Sequence, residues 1–384
     1  MKIGLICPYN IARGGAVQEI VKDMQAGLTR RGHTVKIITG RPADISGLDT
    51  SQMLFVGKVT DFRSPTHTLA SFTMSSDAEA DARIIEAEKF DILHFHEPGL
   101  PLIGKQMLDR STSVNVATFH AKLPDTIMSK TIAKAVTPYL RSILDDLDEL
   151  TVGSESAADY IHSLTDRPLH YIPNGIDLET FKPVPRSAPG ARKKIVFIGR
   201  LEHRKGVKYL LRAFQLLSEG RDDIELIIAG SGPDRDKLEL LAETLELKHV
   251  TFLGYIDQAT KMRLLTEADL FCSPAIFGES FGLVLLEAMA TGLVTVAGDN
   301  PGYAGVMQDR GALSLVNPHD TPEFARRLQL LLEQESLRKL WRSWALEYVK
   351  QFDYRDIMIQ YEKQYEQALE KHKQRDASLA DLSP

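Results

Sequence analysis

Apolar runs of strand length alternate with amphipathic helical stretches along most of this chain, and the alternation occurs twice. The first series holds "KIGLIC", "TVKIIT", "DILHF", "VNVATF", "ELTVG" and "LHYIP", with helical stretches such as Val17 to Arg31 and Ile127 to Asp148 between them. The second holds "KIVFIG", "IELIIAG", "HVTFLG", "DLFCSP", "LVTVAG" and "ALSLV". Strands that alternate with crossover helices make a parallel α/β sheet. Between the series lies "PNGIDLETFKPVPRSAPGARKK", with Pro173, Pro183, Pro185 and Pro189 and no helical or strand period. It reads as a linker. The pattern predicts two Rossmann-like domains facing a cleft, with ligands at the carboxyl ends of the strands.

The 384 residues suffice for two cores. Lysine and arginine number 46 against 52 acidic residues, a formal charge of −6. That is not the strongly basic surface of a nucleic-acid binder. Cys7 and Cys272 each follow an apolar run and read as reduced core thiols rather than a disulfide. The apolar part of "MKIGLICPYN" is short for a signal peptide, and no run reaches a membrane span. A cytoplasmic location is expected.

Four stretches can carry chemistry. Gly14 and Gly15 precede a helix, which suits either a tight turn or a phosphate site. The G-x-G-x-x-G dinucleotide fingerprint is absent. In "IGRLEHRKG", Arg200, Arg204 and Lys205 follow a strand end. They form either a solvated basic loop or a diphosphate cradle. His94 and His96 share a strand face, and His120 ends another strand. No acidic or cysteine ligand completes a zinc spacing, so no metal is expected and a polar strand end is the better reading. "GESFGLVLLEAMATG" places Glu279 on a loop and Glu287 two turns along a helix that starts near Phe281, Gly282 and Leu283. Free N–H groups there can bind phosphate and the glutamates sugar hydroxyls. Alternatively, Glu287 is a buried glutamate held by a cation, or the pair is a glycosidase acid and base.

These motifs, with "IPNGID" and "LHFHEP", stand in an order that resembles the retaining glycosyltransferases of family 4, of GT-B fold, over nearly the whole chain. The likeness is strongest to bacterial members that move mannose from GDP-mannose to phosphatidylinositol. The repeated pattern and its linker give domains at 1–173 and 174–352, and the end of the chain reads as a flexible tail at 376–384. The resemblance implies that a C-terminal helix at 353–375 crosses back to the first domain. It implies catalytic roles for His120, Arg200, Lys205 and Glu279. Arg200, Lys205, Gly15 and the backbone at Phe281, Gly282 and Leu283 would hold the donor diphosphate. Glu279 and His120 would meet the transferred sugar, and Glu287 the ribose. Ile256 and Lys261 would lie near the base, and Tyr9 and Gln18 at the acceptor. The implied ligand is a nucleotide sugar, GDP-mannose or a UDP-sugar, with free magnesium at most accompanying its diphosphate and no permanent cofactor. A lipid or glycan would accept the hexose. A soluble acceptor with a UDP-sugar donor, a nucleotide-sugar epimerase and a non-enzymatic sugar binder are the competing readings.

One region departs from the family. From Asp77 to Lys89 five acidic residues face two basic ones, and Ser76 with Glu79 reads as a capping box. Membrane-attached relatives carry a basic helix here, and an acidic one is repelled by anionic lipid. The loop "DFRSPTHTLASF" also differs from the family pattern. At most weak peripheral association with the inner face of a membrane is expected.

Overall fold

A computed structural model of the chain describes residues 1–63, 69–74, 77–99, 104–120, 137–184 and 190–381. It separates into two compact units, Met1–Gly175 with Tyr354–Pro384, and Ile176–Asp353. Among the described residues no helix is long and apolar enough to cross a membrane.

The first unit is built on β1 (Lys2–Cys7), β2 (Thr34–Arg41), β3 (Met53–Arg63), β4 (Leu69–Met74), β5 (Ile92–His96), β6 (Val114–Phe119), β7 (Glu149–Val152) and β8 (His170–Tyr171). Their order is β4-β3-β2-β1-β5-β6-β7-β8. Every pairing is parallel except β3 with β4. The central strands β5, β6 and β7 are buried at every position, as expected of a sheet covered on both faces.

The hairpin at the sheet edge corrects the expectation of a loop at "DFRSPTHTLASF". Strand β3 runs to Arg63 and β4 starts at Leu69, with Lys58 opposite Met74 and Arg63 opposite Leu69. Charged residues and Pro65 hide the strand period there. The helix Ala78–Glu88 is capped by Asp77, whose carboxylate accepts from Ala80 N at 3.0 Å. The cap is therefore not Ser76, which lies outside the described residues. The helix expected over Ile127 to Asp148 is described only from 137, where it runs over 137–145.

The helix Tyr354–Asp381 belongs to the first unit, and it extends past residue 375 through most of the expected tail. A stripe of its side chains seats it. Tyr354 and Met358 pack where a Cβ on Gly27 would stand, at 2.6 and 2.8 Å. Gln364 bonds Thr151 of β7, and Glu362 takes His33 at 2.8 Å. At the centre, Tyr365 OH meets His94 Nδ1 at 2.6 Å, and Thr118 Oγ1 meets His94 Nε2 at 2.7 Å. Both imidazole nitrogens are thus satisfied in a wholly buried ring.

The second unit carries β9 (Lys193–Ile198), β10 (Ile224–Ala229), β11 (Val250–Gly254), β12 (Leu270–Ser273), β13 (Thr295–Gly298) and β14 (Leu315–Val316). The sheet is wholly parallel in the order β11-β10-β9-β12-β13-β14. "ALSLV" shrinks to a two-residue strand because Asp309–Ser314 forms a 3-10 turn. The order reverses beside β9, so the loops after β9 and β12 emerge at a topological switch point.

Burial pushes His94 down to about 3 and His120 to about 4, and holds His96 well below the usual range, so all three are neutral. An unfolded chain takes up these protons below about pH 6.5, and the native chain does not until far lower. Their contribution to stability is complete above that pH and is lost as pH falls toward 4 and 3. Urea unfolding should therefore show a falling midpoint from pH 6.5 to 4, with a shallower fall in His94→Gln. A flat midpoint would contradict the buried neutral assignment.

Candidate active site

The loop after β9 is shaped by close backbone approaches. Leu201 N donates to Ser231 O at 2.9 Å, and Ile276 N donates to Arg204 O at 2.8 Å. Gly206 is left-handed at φ 71°, and a Cβ there would stand 2.0 Å from Pro274 O. Only glycine fits both demands. The turn His203–Lys205 is pinned in this way between two neighbouring loops, ahead of the helix Val207–Ser218.

Three cations and two carboxylates converge there. Glu202, buried, takes Arg200 Nη2 at 2.8 Å and Arg204 Nε at 2.9 Å. Glu279 Oε1 accepts from Arg204 Nη1 at 2.6 Å and from Lys205 Nζ at 2.7 Å. Arg204 also donates to Gly278 O at 3.1 Å. Burial pulls the Lys205 ammonium below the usual lysine range, with Glu279 opposing that pull. Arg200 is the exposed member, with 47% of its side chain accessible. The cluster keeps one more positive than negative charge.

Beside it begins the helix Leu283–Ala290, with Gly282 at its N-cap at φ 104° and no side-chain cap. A Cβ on Gly282 would stand 2.8 Å from the Tyr303 ring. Tyr303 is fully buried and bonds Ser273 Oγ at 2.8 Å. Phe281 is buried against the Phe352 ring, centroids 5.7 Å apart. No side chain caps the first turn of this helix, where Leu285 N donates to Gly282 O at 2.9 Å, and its dipole adds to the positive potential. An anion with several oxygens suits such a place.

Glu287, further along the same helix, pairs with Lys261 at 2.5 Å. Lys261 also lies 5.3 Å from the Phe181 ring centre. The glutamate is therefore held by a neighbouring cation, while both groups keep some exposure. Ile256 is partly buried against the core of this unit.

In the first unit, Gly15 caps the helix Ala16–Arg30 in extended conformation. A Cβ there would stand 2.4 Å from Gln18 Oε1, whereas Gly14 faces open space. Gln18 Nε2 donates to Asn10 O at 3.4 Å. Tyr9 stacks obliquely on Phe72 of β4, with centroids 5.7 Å apart. His120 is buried at the end of β6, its Nε2 2.8 Å from His96 Nδ1. Its backbone N donates to Glu97 Oε1 at 2.5 Å. Among the described residues no group of three His, Cys, Asp or Glu is arranged to hold a metal ion.

The structure thus brings Arg200, Lys205 and Glu279 into one cluster and Lys261 and Glu287 into a second. Sequence reasoning assigned no role to Glu202, Tyr303 or His96. Glu202 had a signal, an acid within a basic loop. Tyr303 is distant in sequence and had none.

Two family models match the chain. Glycosyltransferase Family 4 covers residues 14–180, and Glycosyl transferases group 1 covers 180–347. A phosphatidyl-myo-inositol mannosyltransferase of Mycolicibacterium smegmatis is 31% identical over 378 residues, covering 95% of this chain and 94% of that one. Among solved structures, sucrose-phosphate synthase from Thermosynechococcus elongatus superposes with a TM-score of 0.77 at 21% identity, covering 95% of this chain and 98% of its own. Anabaena HepE in complex with UDP and glucose gives 0.76 at 17%, covering 96% and 100%. The structural likenesses establish the GT-B fold. With a model matched in each half and a relative this similar along nearly its whole length, the chain belongs to the family 4, group 1 glycosyltransferases, and is a hexosyltransferase.

Proposed function

We propose that this enzyme transfers mannose from GDP-mannose to phosphatidylinositol or a closely related lipid, with retention of anomeric configuration. The observation that carries the reading is the cluster of Arg200, Arg204 and Lys205 around Glu202 and Glu279, beside the helix start at Gly282 that no side chain caps. In hexosyl transfer the bond from the anomeric carbon to the donor phosphate breaks, and the leaving diphosphate gains charge. Cations and helix N–H groups already in position stabilise that charge without reorganising. The choice of mannose and lipid rests on the relatives named phosphatidyl-myo-inositol mannosyltransferase.

Arg200 and Lys205 take the diphosphate, with the backbone at Phe281, Gly282 and Leu283. Glu279 meets the transferred sugar, Glu287 the ribose, and Ile256 and Lys261 the base. On the first unit, Gly15 is assigned to phosphate, His120 to the sugar, and Tyr9 and Gln18 to the acceptor. The new bond forms on the face from which the diphosphate departs, and a donor phosphate oxygen receives the acceptor proton.

Arg200→Ala and Lys205→Ala should each lower turnover about a hundredfold, the usual cost of one contact to developing charge. Circular dichroism should remain that of the folded chain. Near-normal turnover in both folded variants would exclude the diphosphate cradle.

The helix Ala78–Glu88 bears on where the enzyme works. Asp77, Glu79 and Asp81 crowd its N-terminus, and its last turn contains no basic residue. Anionic lipid repels such a surface. We therefore propose work in the cytoplasm or in weak contact with the inner membrane face. In flotation with phosphatidylglycerol-rich vesicles at physiological salt, most of the protein should stay unbound. Tight, salt-sensitive flotation would overturn the charge argument.

A further inference from the structure

We infer that Glu202 is a positioning residue: it ties the exposed Arg200 to the enclosed Arg204, and so holds the Arg200 guanidinium ready for an anion. The inference rests on the proposed role of Arg200 at the donor diphosphate and adds the group that orients it. Glu202 is buried, and each of its oxygens has its own cation. Oε1 stands 2.8 Å from Arg200 Nη2, and Oε2 accepts from Arg204 Nε at 2.9 Å.

The backbone fixes this carboxylate from behind. Leu201, its neighbour, is fully buried, and Leu201 O accepts from Asp234 N at 3.0 Å. Glu202 O accepts from Lys205 N at 2.9 Å. Arg204 is a second anchor, because it also donates to Gly278 O at 3.1 Å and to Glu279 Oε1 at 2.6 Å. Arg200 has no such enclosure, and 47% of its side chain is open to solvent. Ordering a long exposed side chain when a ligand binds costs free energy. The pair with Glu202 orders it beforehand.

Arginine suits this arrangement and lysine does not. A guanidinium spreads five N–H donors over three nitrogens in a rigid fork. Nη2 can face Glu202 while the other donors face a phosphate. An ammonium has one nitrogen, which the carboxylate and the phosphate would have to share. Charge alone argues against an acid at this place. The cluster holds three cations and two carboxylates, so losing the charge of Glu202 would raise its positive excess from one to two. A diphosphate would then be attracted more strongly. The inference is that orientation outweighs this repulsion, and the two effects have opposite signs.

Calorimetric titration with GDP separates them. Glu202→Gln removes the charge and keeps the size. Its GDP affinity should fall about tenfold, the scale of one charge-assisted contact, and the same substitution should cause no further loss in Arg200→Ala. Unchanged or tighter GDP binding in folded Glu202→Gln would overturn the inference, as would an equal loss with Arg200 absent. Should Glu202→Gln fail to fold, Arg200→Lys tests the same point with the buried carboxylate in place. It should bind GDP as weakly as Arg200→Ala, and wild-type affinity would contradict the inference. In the full chain labelled with 15N-arginine, the Arg200 guanidinium should rotate slowly, and faster in Glu202→Gln; equal rates would also overturn it. If Arg200→Ala bound GDP normally, the diphosphate reading of Arg200 would fail, and the rotation rates alone would decide whether Glu202 orients it.

Discussion

One carboxylate oxygen, Glu279 Oε1, holds both Arg204 and Lys205. Lys205 and Arg204 are largely enclosed, and an enclosed cation without a partner is costly. Glu279 offsets that cost, and so allows two positive groups to stand at a strand end where solvent would otherwise be preferred. The geometry depends in turn on the chain behind it. Gly206 admits Pro274, Gly302 lies against the backbone of Glu279, and Tyr303 fills the space under Gly282. A side chain added at any of these points would push the loop that carries Glu279. The charge cluster sits at the strand ends of a tightly packed parallel sheet, which is why its members hold short, defined contacts.

The first unit solves a related problem mainly with neutral hydrogen bonds, although Glu149 of β7 pairs with Lys371. Its central strands are covered on both faces, so the polar groups they carry must find partners inside. His94 is satisfied by Tyr365 and Thr118, and Thr151 by Gln364. These bonds tie the last long helix of the chain to strands formed near its beginning. The row of rings from Tyr365 through His94 and His96 then ends at His120. The same polar groups that seat the helix also support the His120 imidazole.

Much of this could be read in the sequence, for identifiable reasons. Parallel strands buried on both faces leave unbroken apolar runs, so "KIGLIC" and "VNVATF" coincide with β1 and β6. The edge hairpin did not, because edge strands can carry charged residues without losing a core. The cations after β9 and the glutamate after β12 were legible because strand ends at a switch point are where ligands bind. The structure brings Arg200, Lys205 and Glu279 together as a cluster. Tyr303 was not legible, because its place under Gly282 depends on how two loops fold against each other. His96 could be seen only as a polar strand residue, since its contact with His120 runs between adjacent strands. The capping residue of the acidic helix was missed by one position, at Asp77 rather than Ser76.

The central claim is that the cations gathered by Glu279 and Glu202 receive the diphosphate of a nucleotide sugar. Isothermal titration calorimetry with GDP, guanosine and mannose tests it most directly. The account predicts measurable binding of GDP that weakens as salt rises, with no detectable heat from guanosine or mannose at the same concentrations. Binding of mannose or guanosine with the affinity of GDP, or GDP binding indifferent to Arg200→Ala and Lys205→Ala together, would contradict it.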